Sequence, residues 1–262
     1  MSDLILNMLL VGWLCAALIM LVLWVLHLRL KNAGIVDIGW AGNYALIALV
    51  YAVMGDGYGP RRALVTTMAV VWGARLAAHL TARTIGQPED ARYQHLRQQW
   101  GGNVPLKFFF FFQFQALLNV ILSTPVLLAS INPRPELSPL EWLGCAVWII
   151  AVVGESVADQ QLKAFKSDPA NRGKVCNIGL WRYSRHPNYF FEWLVWVALC
   201  VFAWASPYGF ISIIAPALML YFLLRVTGIP ATEAQLLRSK GDAYRAYQQR
   251  TSAFVPWFPR QS

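Results

Sequence analysis

Apolar residues run in seven long stretches, at roughly 4–28, 35–54, 63–82, 108–130, 139–158, 189–205 and 207–227, and the short segments between them hold most of the charge. About 20 apolar residues carry a helix across the hydrocarbon core of a bilayer. The pattern therefore predicts an all-α polytopic membrane protein with seven transmembrane helices. Ala205-Ser206-Pro207-Tyr208-Gly209 reads as a tight turn between the sixth and seventh. The first stretch lacks a basic leader and is too long for a cleavable signal peptide, so it reads as the first membrane helix. No internal repeat or linker-like segment interrupts the chain, and 1–262 reads as one membrane-embedded domain, with its cofactor-binding part at about 150–262.

Several polar residues interrupt the apolar stretches, where an ionisable group costs about 2.5–3.5 kcal/mol and marks a functional candidate. Asp37 sits near the start of the second stretch. Arg75, His79 and Arg83 fall on one face of the third by their spacing of four, and Glu155, Asp159 and Lys163 repeat that spacing at the end of the fifth. Asn188 and Glu192 lie one turn apart at the start of the sixth. Asp37, Arg75, His79 and Glu192 suggest a hydrated cavity shared between helices.

Composition sharpens the class. Of 262 residues, 57% are apolar and only 13% charged, which excludes disorder and leaves too little polar surface for an ordinary soluble domain. The net charge of +9 is not a nucleic-acid footprint, because the basic residues alternate with apolar runs. They are also unevenly shared: 17 Lys and Arg fall in loops 1–2, 3–4 and 5–6 and the tail, against 3 (Arg61, Arg62 and Arg134) on the other side. By the positive-inside rule the N-terminus is expected outside and the C-terminus in the cytoplasm. Four cysteines without a C-x-x-C pair imply neither a disulfide framework nor a zinc site, and no metal is expected. Gly55-Asp56-Gly57-Tyr58-Gly59 has the wrong spacing for a nucleotide fingerprint and reads as a turn.

The densest chemistry lies in Gly179-Leu180-Trp181-Arg182-Tyr183-Ser184-Arg185-His186-Pro187-Asn188-Tyr189, with Glu192 one turn on. It sets cations and donors before a helix start, where an anion is favoured, and so suggests a phosphorylated ligand. The run Arg185-His186-Pro187-Asn188-Tyr189…Glu192 resembles the C-terminal cofactor signature of the steroid 5α-reductase and sterol reductase superfamily. Asp159…Lys163…Lys166 is similar to its Asp-x-x-x-basic-x-x-basic segment. Gly241-Asp242-Ala243-Tyr244-Arg245-Ala246-Tyr247 followed by Phe254-Val255-Pro256-Trp257 resembles its closing segment. Val36-Asp37-Ile38-Gly39-Trp40, Trp72-Gly73-Ala74-Arg75 and Glu89-Asp90-Ala91-Arg92-Tyr93 look like a bacterial membrane branch of that superfamily.

The resemblance implies an NADPH-dependent oxidoreductase with seven membrane helices. It would reduce an activated C=C bond in a lipophilic, steroid-like enone reached from membrane lipid. The expected location is a bacterial inner membrane, with the cofactor site facing the cytoplasm. Positions matched to the cofactor site are Asp159, Lys163, Lys166, Asn188, Glu192 and Arg225, with Tyr189 from the run itself and Glu233 as a looser match. Lys166, Arg172, Lys174 and Arg182 are the candidates for phosphate contacts, and Arg185 and His186 add charge at the helix start. Asp37, held protonated by burial, is expected to meet the substrate carbonyl. The family's helix-3 Tyr falls near Trp72 here, which leaves Tyr93 or His79 as its partner. Isoprenylcysteine carboxyl methyltransferases share an Arg-His-Pro-x-Tyr run, so an S-adenosylmethionine-dependent methyltransferase is the alternative.

Overall fold

Long runs of Leu, Val, Ile, Ala and Phe between prolines fold as helices, and a computed structural model describes residues 2–260. The helices are α1 (Ser2–Leu30), α2 (Ile35–Met54), α3 (Gly59–Thr84), α4 (Ala91–Trp100), α5 (Val104–Leu122), α6 (Thr124–Ser130), α7 (Pro139–Ser167), α8 (Pro187–Ala203), α9 (Ile214–Tyr221), α10 (Ile229–Lys240) and α11 (Asp242–Arg250). Among the described residues the extended pairing is a single bridge, Ser184 with Ser252. Six segments are long and apolar enough to cross a membrane: α1, α2, α3, α5, α7 and the stretch Gly209–Lys240. The expected sixth span corresponds to α8, which at 17 residues is shorter than the others.

Two expected boundaries change. The stretch 108–130 is two helices, because Pro125 has no N–H and its ring crowds the carbonyl one turn earlier. The helix breaks at Ser123, whose Oγ donates to Val120 O at 2.8 Å, while Thr124 Oγ1 donates to Ile121 O at 2.6 Å. At the other junction α7 runs on past 158 to Ser167, so that Asp159, Lys163 and Lys166 ride on the same helix as its apolar part.

The chain divides into two compact units. The first comprises the chain up to Glu141 together with Phe202–Ala215; the second comprises Trp142–Val201 and the chain from Pro216 onward.

In the first unit, α1 buries Met8, Gly12, Ala16 and Met20, one residue per turn, and leaves Leu6, Leu14 and Leu18 outward, as a helix facing lipid does. Helices α2 and α3 pack so closely that a Cβ on Gly73 would lie 2.8 Å from Ala41 O. The unit has two polar ends. At one, the turn before α2 meets the segment before α4. At the other, Gly57 N–H donates to Ser130 O (3.0 Å) and Tyr58 N–H to Asn132 O (2.9 Å), which makes the Gly55–Gly59 segment a packed turn.

That second end closes on a guanidinium. Arg61 is 1% exposed and Glu141 0%, and they form a two-pronged ion pair. The remaining Arg61 donors take the carbonyls of Asn132 (3.0 Å), Arg134 (2.7 Å) and Glu136. A buried ion pair is tolerable only when its other donors are satisfied, and here three loop carbonyls satisfy them.

In the second unit, α7 and α8 pack with the Phe191 ring over Gly154, where a Cβ would lie 2.4 Å from ring carbons. After α9 the chain widens into a π turn over Phe222–Val226 before α10 begins.

Candidate functional sites

Two polar clusters stand out, one in each unit. In the first unit, Asp90 caps α4 by accepting from Arg92 N–H at 2.9 Å. This start places Arg92 and Tyr93 on the first turn of α4. Tyr93 is buried and donates to Asp37 Oδ1 at 2.6 Å, and Arg92 Nη2 bonds Asp37 Oδ2 at 3.1 Å. Arg92 also pairs with Asp90 (3.2 Å), which Arg83 reaches at 3.0 Å. The turn before α2 is tied in as well: Ala33 N–H donates to Glu89 Oε1 at 2.6 Å, and Glu89 in turn holds Arg97 at 2.8 Å. Arg97 lies over the Phe108 ring, 4.7 Å from its centroid.

Electrostatics assigns the protons in this cluster. Burial, reinforced by the Asp37 charge, raises the Tyr93 phenol well above its ordinary range. Burial alone would raise Asp90, but Arg92 and then Arg83 bring its carboxyl below the usual value. The Asp37 side chain, expected to be buried, is 30% exposed and accepts from two donors, Arg92 and Tyr93. The raised Tyr93 phenol keeps its proton and donates to Asp37. His79 lies half-buried on α3. Sequence reasoning named Asp37 and Tyr93 as site residues and quoted Asp90 and Arg92 only as part of a motif; an Asp directly before a helical run was the available signal for their role.

The second unit is built on the run before α8. The short helical turn Gly179–Arg182 is fastened to α7 by Trp181 Nε1 donating to Ala158 O (2.9 Å) and Leu180 N–H to Gln161 Oε1 (2.8 Å). Arg185 Nε donates to Glu233 Oε1 at 2.6 Å, and Arg185 Nη1 to the carbonyls of Thr251 (2.6 Å) and Gln248 (3.1 Å). His186 Nε2 lies 3.3 Å from the same Glu233 oxygen, Tyr244 donates to it at 3.4 Å, and Gln248 Nε2 donates to Oε2 at 2.9 Å. The His186 and Tyr189 rings stack at 5.4 Å, and Tyr189 Oη lies 3.2 Å from Thr232 Oγ1. Burial lowers the His186 pKa, against the opposing pull of Glu233. Burial also raises the phenols of Tyr244 and Tyr247. Tyr247 donates to the carbonyls of Trp181 and Ser184, so α11 clamps the run.

The expected cofactor residues thus fall into two sets. Arg185, His186, Tyr189 and Glu233 engage one another or their neighbours and hold the local fold. Lys163, Lys166, Arg172, Lys174 and Arg182 are exposed, at the end of α7 and along the loop to α8. Asp159, Asn188 and Glu192 are half-buried, and Arg225 is exposed on the π turn. The donor set fits a dinucleotide: several exposed cations for phosphates, with Asn and carboxylate groups one helical turn apart. Tyr244, Tyr247 and Gln248 were not named as site residues; the i, i+3 spacing of the two tyrosines was their signal.

The fold and these clusters define an all-helical protein of the polytopic membrane class. Residues 23–251 match the family described as "Protein of unknown function (DUF1295)", and the chain belongs to that family. The chain is also similar to Uncharacterized protein C594.04c of Schizosaccharomyces pombe, at 26% identity over 286 residues that cover 95% of this chain and 80% of the relative. No solved structure matches the chain significantly.

Proposed function

We propose that the protein is an NADPH-dependent reductase of an activated C=C bond in a lipophilic enone, similar to a 3-oxo-Δ4-steroid 5α-reductase. One observation carries this reading. Every residue that matches the reductase signature, from Asp159 to Glu192, belongs to a single compact unit, and the loop bearing the cations is pinned to α7 through Trp181 and Leu180. The DUF1295 family includes steroid 5α-reductase-like membrane proteins, which favours the same class. In this reading α8 is the sixth of seven spans, and the excess of basic residues puts the cofactor-binding unit's loops in the cytoplasm of a bacterial inner membrane.

When bound, NADPH supplies the hydride. Lys163, Lys166, Arg172, Lys174 and Arg182 hold its phosphates by charge-assisted bonds. Asn188 and Glu192 offer the donor and acceptor that a carboxamide requires. Arg185, His186 and Glu233 act as positioning residues that fix the start of α8. Negative charge developing on the enone oxygen needs a preorganised donor. The Tyr93 hydroxyl, protonated at neutral pH and oriented by Asp37 and Arg92, fills that role.

The test is mass spectrometry of nucleotide co-purifying with the detergent-extracted protein, followed by titration with NADPH and NADH at fixed salt. NADPH is expected to bind about 10- to 100-fold more tightly, from the 1.5–3 kcal/mol of charge-assisted bonds to its 2′-phosphate. Equal dissociation constants would remove the 2′-phosphate assignment. Bound S-adenosylmethionine would replace the reductase reading with the methyltransferase one.

A further inference from the structure

The second unit holds a cleft of about 360 Å³ that the cofactor reading does not use. Its wall brings together Arg185, Arg250 and Arg260 with Gln248, Trp257 and Phe258, and no carboxylate lines it. Arg185 comes from a point in the chain distant from Arg250 and Arg260, and backbone bonds bring the segments that carry them together. Arg260 N–H donates to Arg250 O at 2.9 Å, and Arg185 N–H donates to Ser252 O at 2.8 Å. Trp257 N–H donates to Tyr183 O at 2.9 Å, and Ser184 Oγ to Phe254 O at 2.8 Å. The C-terminal segment is therefore laid along the run that enters α8.

Arg185 stands two residues before Pro187, where the apolar helix α8 begins, so the cleft lies beside the polar entry to that helix. Trp257 is 69% exposed and Phe258 75%, each an apolar ring turned outward beside exposed Arg250 and Arg260. Rings of this kind beside arginines are suited to the headgroup layer, where indole and phenyl groups meet acyl chains and guanidinium groups meet lipid phosphates. In bulk water the same rings would gain nothing from exposure. Arg185 is held by Glu233, so the exposed guanidinium groups at the cleft are those of Arg250 and Arg260, a pair suited to a phosphate diester.

We propose that this cleft is a binding site for the headgroup of an anionic phospholipid, its phosphate taken by Arg250 and Arg260, with Trp257 and Phe258 resting in the interface beside its chains. The bound lipid would hold the C-terminal segment against the entry to α8. This assignment stands independently of the reductase reading.

The full-length protein in neutral detergent is titrated with phosphatidylglycerol or phosphatidylcholine, and bound lipid is counted by native mass spectrometry. Wild type is expected to retain phosphatidylglycerol at least about tenfold better, and Arg250→Gln/Arg260→Gln to lose that preference, at about 1 kcal/mol per basic residue removed, roughly fivefold each. Both side chains are exposed and the backbone bond between them survives in Gln, so an unchanged melting midpoint certifies the fold. Trp257→Ala/Phe258→Ala is expected to weaken both lipids alike. Undiminished phosphatidylglycerol retention in the arginine variant overturns the proposal. So does displacement of the lipid by NADPH, which gives the cleft to the dinucleotide. Competition by inorganic phosphate as strong as by the lipid also overturns it, since the site then reads phosphate alone.

Discussion

Arg185 Nε donates to Glu233 Oε1 across 2.6 Å, although 48 positions separate the two residues in sequence. Both side chains are mostly buried, at 11% and 15% exposure, and the pair ties the run entering α8 to α10. Around it, the Gln248 side chain, the His186 ring and the Tyr244 hydroxyl all address the same carboxylate. The acid is therefore the common acceptor of a small buried network, and its removal strands several donors at once.

Glu233→Ala is expected to lower the thermal unfolding midpoint in detergent by about 6 °C or more, since an uncompensated buried charge costs about 3 kcal/mol. Glu233→Gln keeps one acceptor and should fall between that variant and wild type. Arg185→Lys should resemble Glu233→Ala, because an ammonium cannot reproduce the guanidinium fork that reaches Glu233, Thr251 and Gln248 together. A Glu233→Ala midpoint equal to wild type would show that the network adds nothing to stability.

The pH dependence of stability carries a specific sign. Burial depresses the His186 pKa below 6.5, so the folded state holds fewer protons than the unfolded one. The stabilisation is fully present above 6.5 and is lost as pH falls through the lower folded value. Asp90, depressed from 3.8 through Arg92, loses its share only in a more acidic window. Melting midpoints should be level above neutrality and fall in two stages on acidification. His186→Gln should abolish the upper stage and leave the lower; an unaltered upper stage would assign it to another group.

The sequence patterns that were legible are those with a local cause. Residues 35–54 form α2 as read, because an uninterrupted apolar run lies between a turn and the Gly55 segment. The break at Ser123 was not legible from hydropathy, since residues on both sides are apolar and only Pro125 marks it. The last turn of α7, past Lys163 to Ser167, was missed for the opposite reason: it is polar and carries no membrane signal. In the candidate sites, Asp37, Tyr93, Arg185 and Glu233 were identifiable singly by residue type and motif. Their pairing was not, because each bond joins residues about 50 positions apart and depends on how the helices pack. The Arg61–Glu141 pair, 80 positions apart, had no sequence signal at all.

That pair yields a prediction that separates charge from loop closure. Arg61→Leu leaves Glu141 buried without its cation and should cost about 3–5 kcal/mol, seen as a strongly reduced melting midpoint or a failure to accumulate. Arg61→Leu/Glu141→Leu removes the lone charge, and a pair replaced by apolar groups is often neutral. Here it should recover only in part, because the Asn132, Arg134 and Glu136 carbonyls still lose their donor. Full recovery would mean that the three carbonyls find other donors.

The polar cluster of the first unit makes the last prediction, which rests on the proposed reductase activity. Tyr93 is the proton-bearing partner of Asp37, with its phenol held well above the ordinary pKa. Tyr93→Phe keeps the ring that packs against Phe108 and Phe111 and deletes only the hydroxyl. It should leave NADPH affinity unchanged and slow single-turnover oxidation of bound NADPH by a 3-oxo-Δ4 steroid by about 100-fold or more, the loss typical of one oxyanion donor. Asp37→Asn still offers an oxygen to the phenol and should slow the step less. Asp37→Leu frees the phenol from its orienting partner, leaves Arg92 with Asp90 alone, and should approach the Tyr93→Phe rate. Nicotinamide absorbance follows all three. If Tyr93→Phe reacts at the wild-type rate, the donor lies elsewhere and His79 becomes the candidate. If wild type binds NADPH but oxidises none with the steroid, the substrate class is wrong while the cofactor assignment stands.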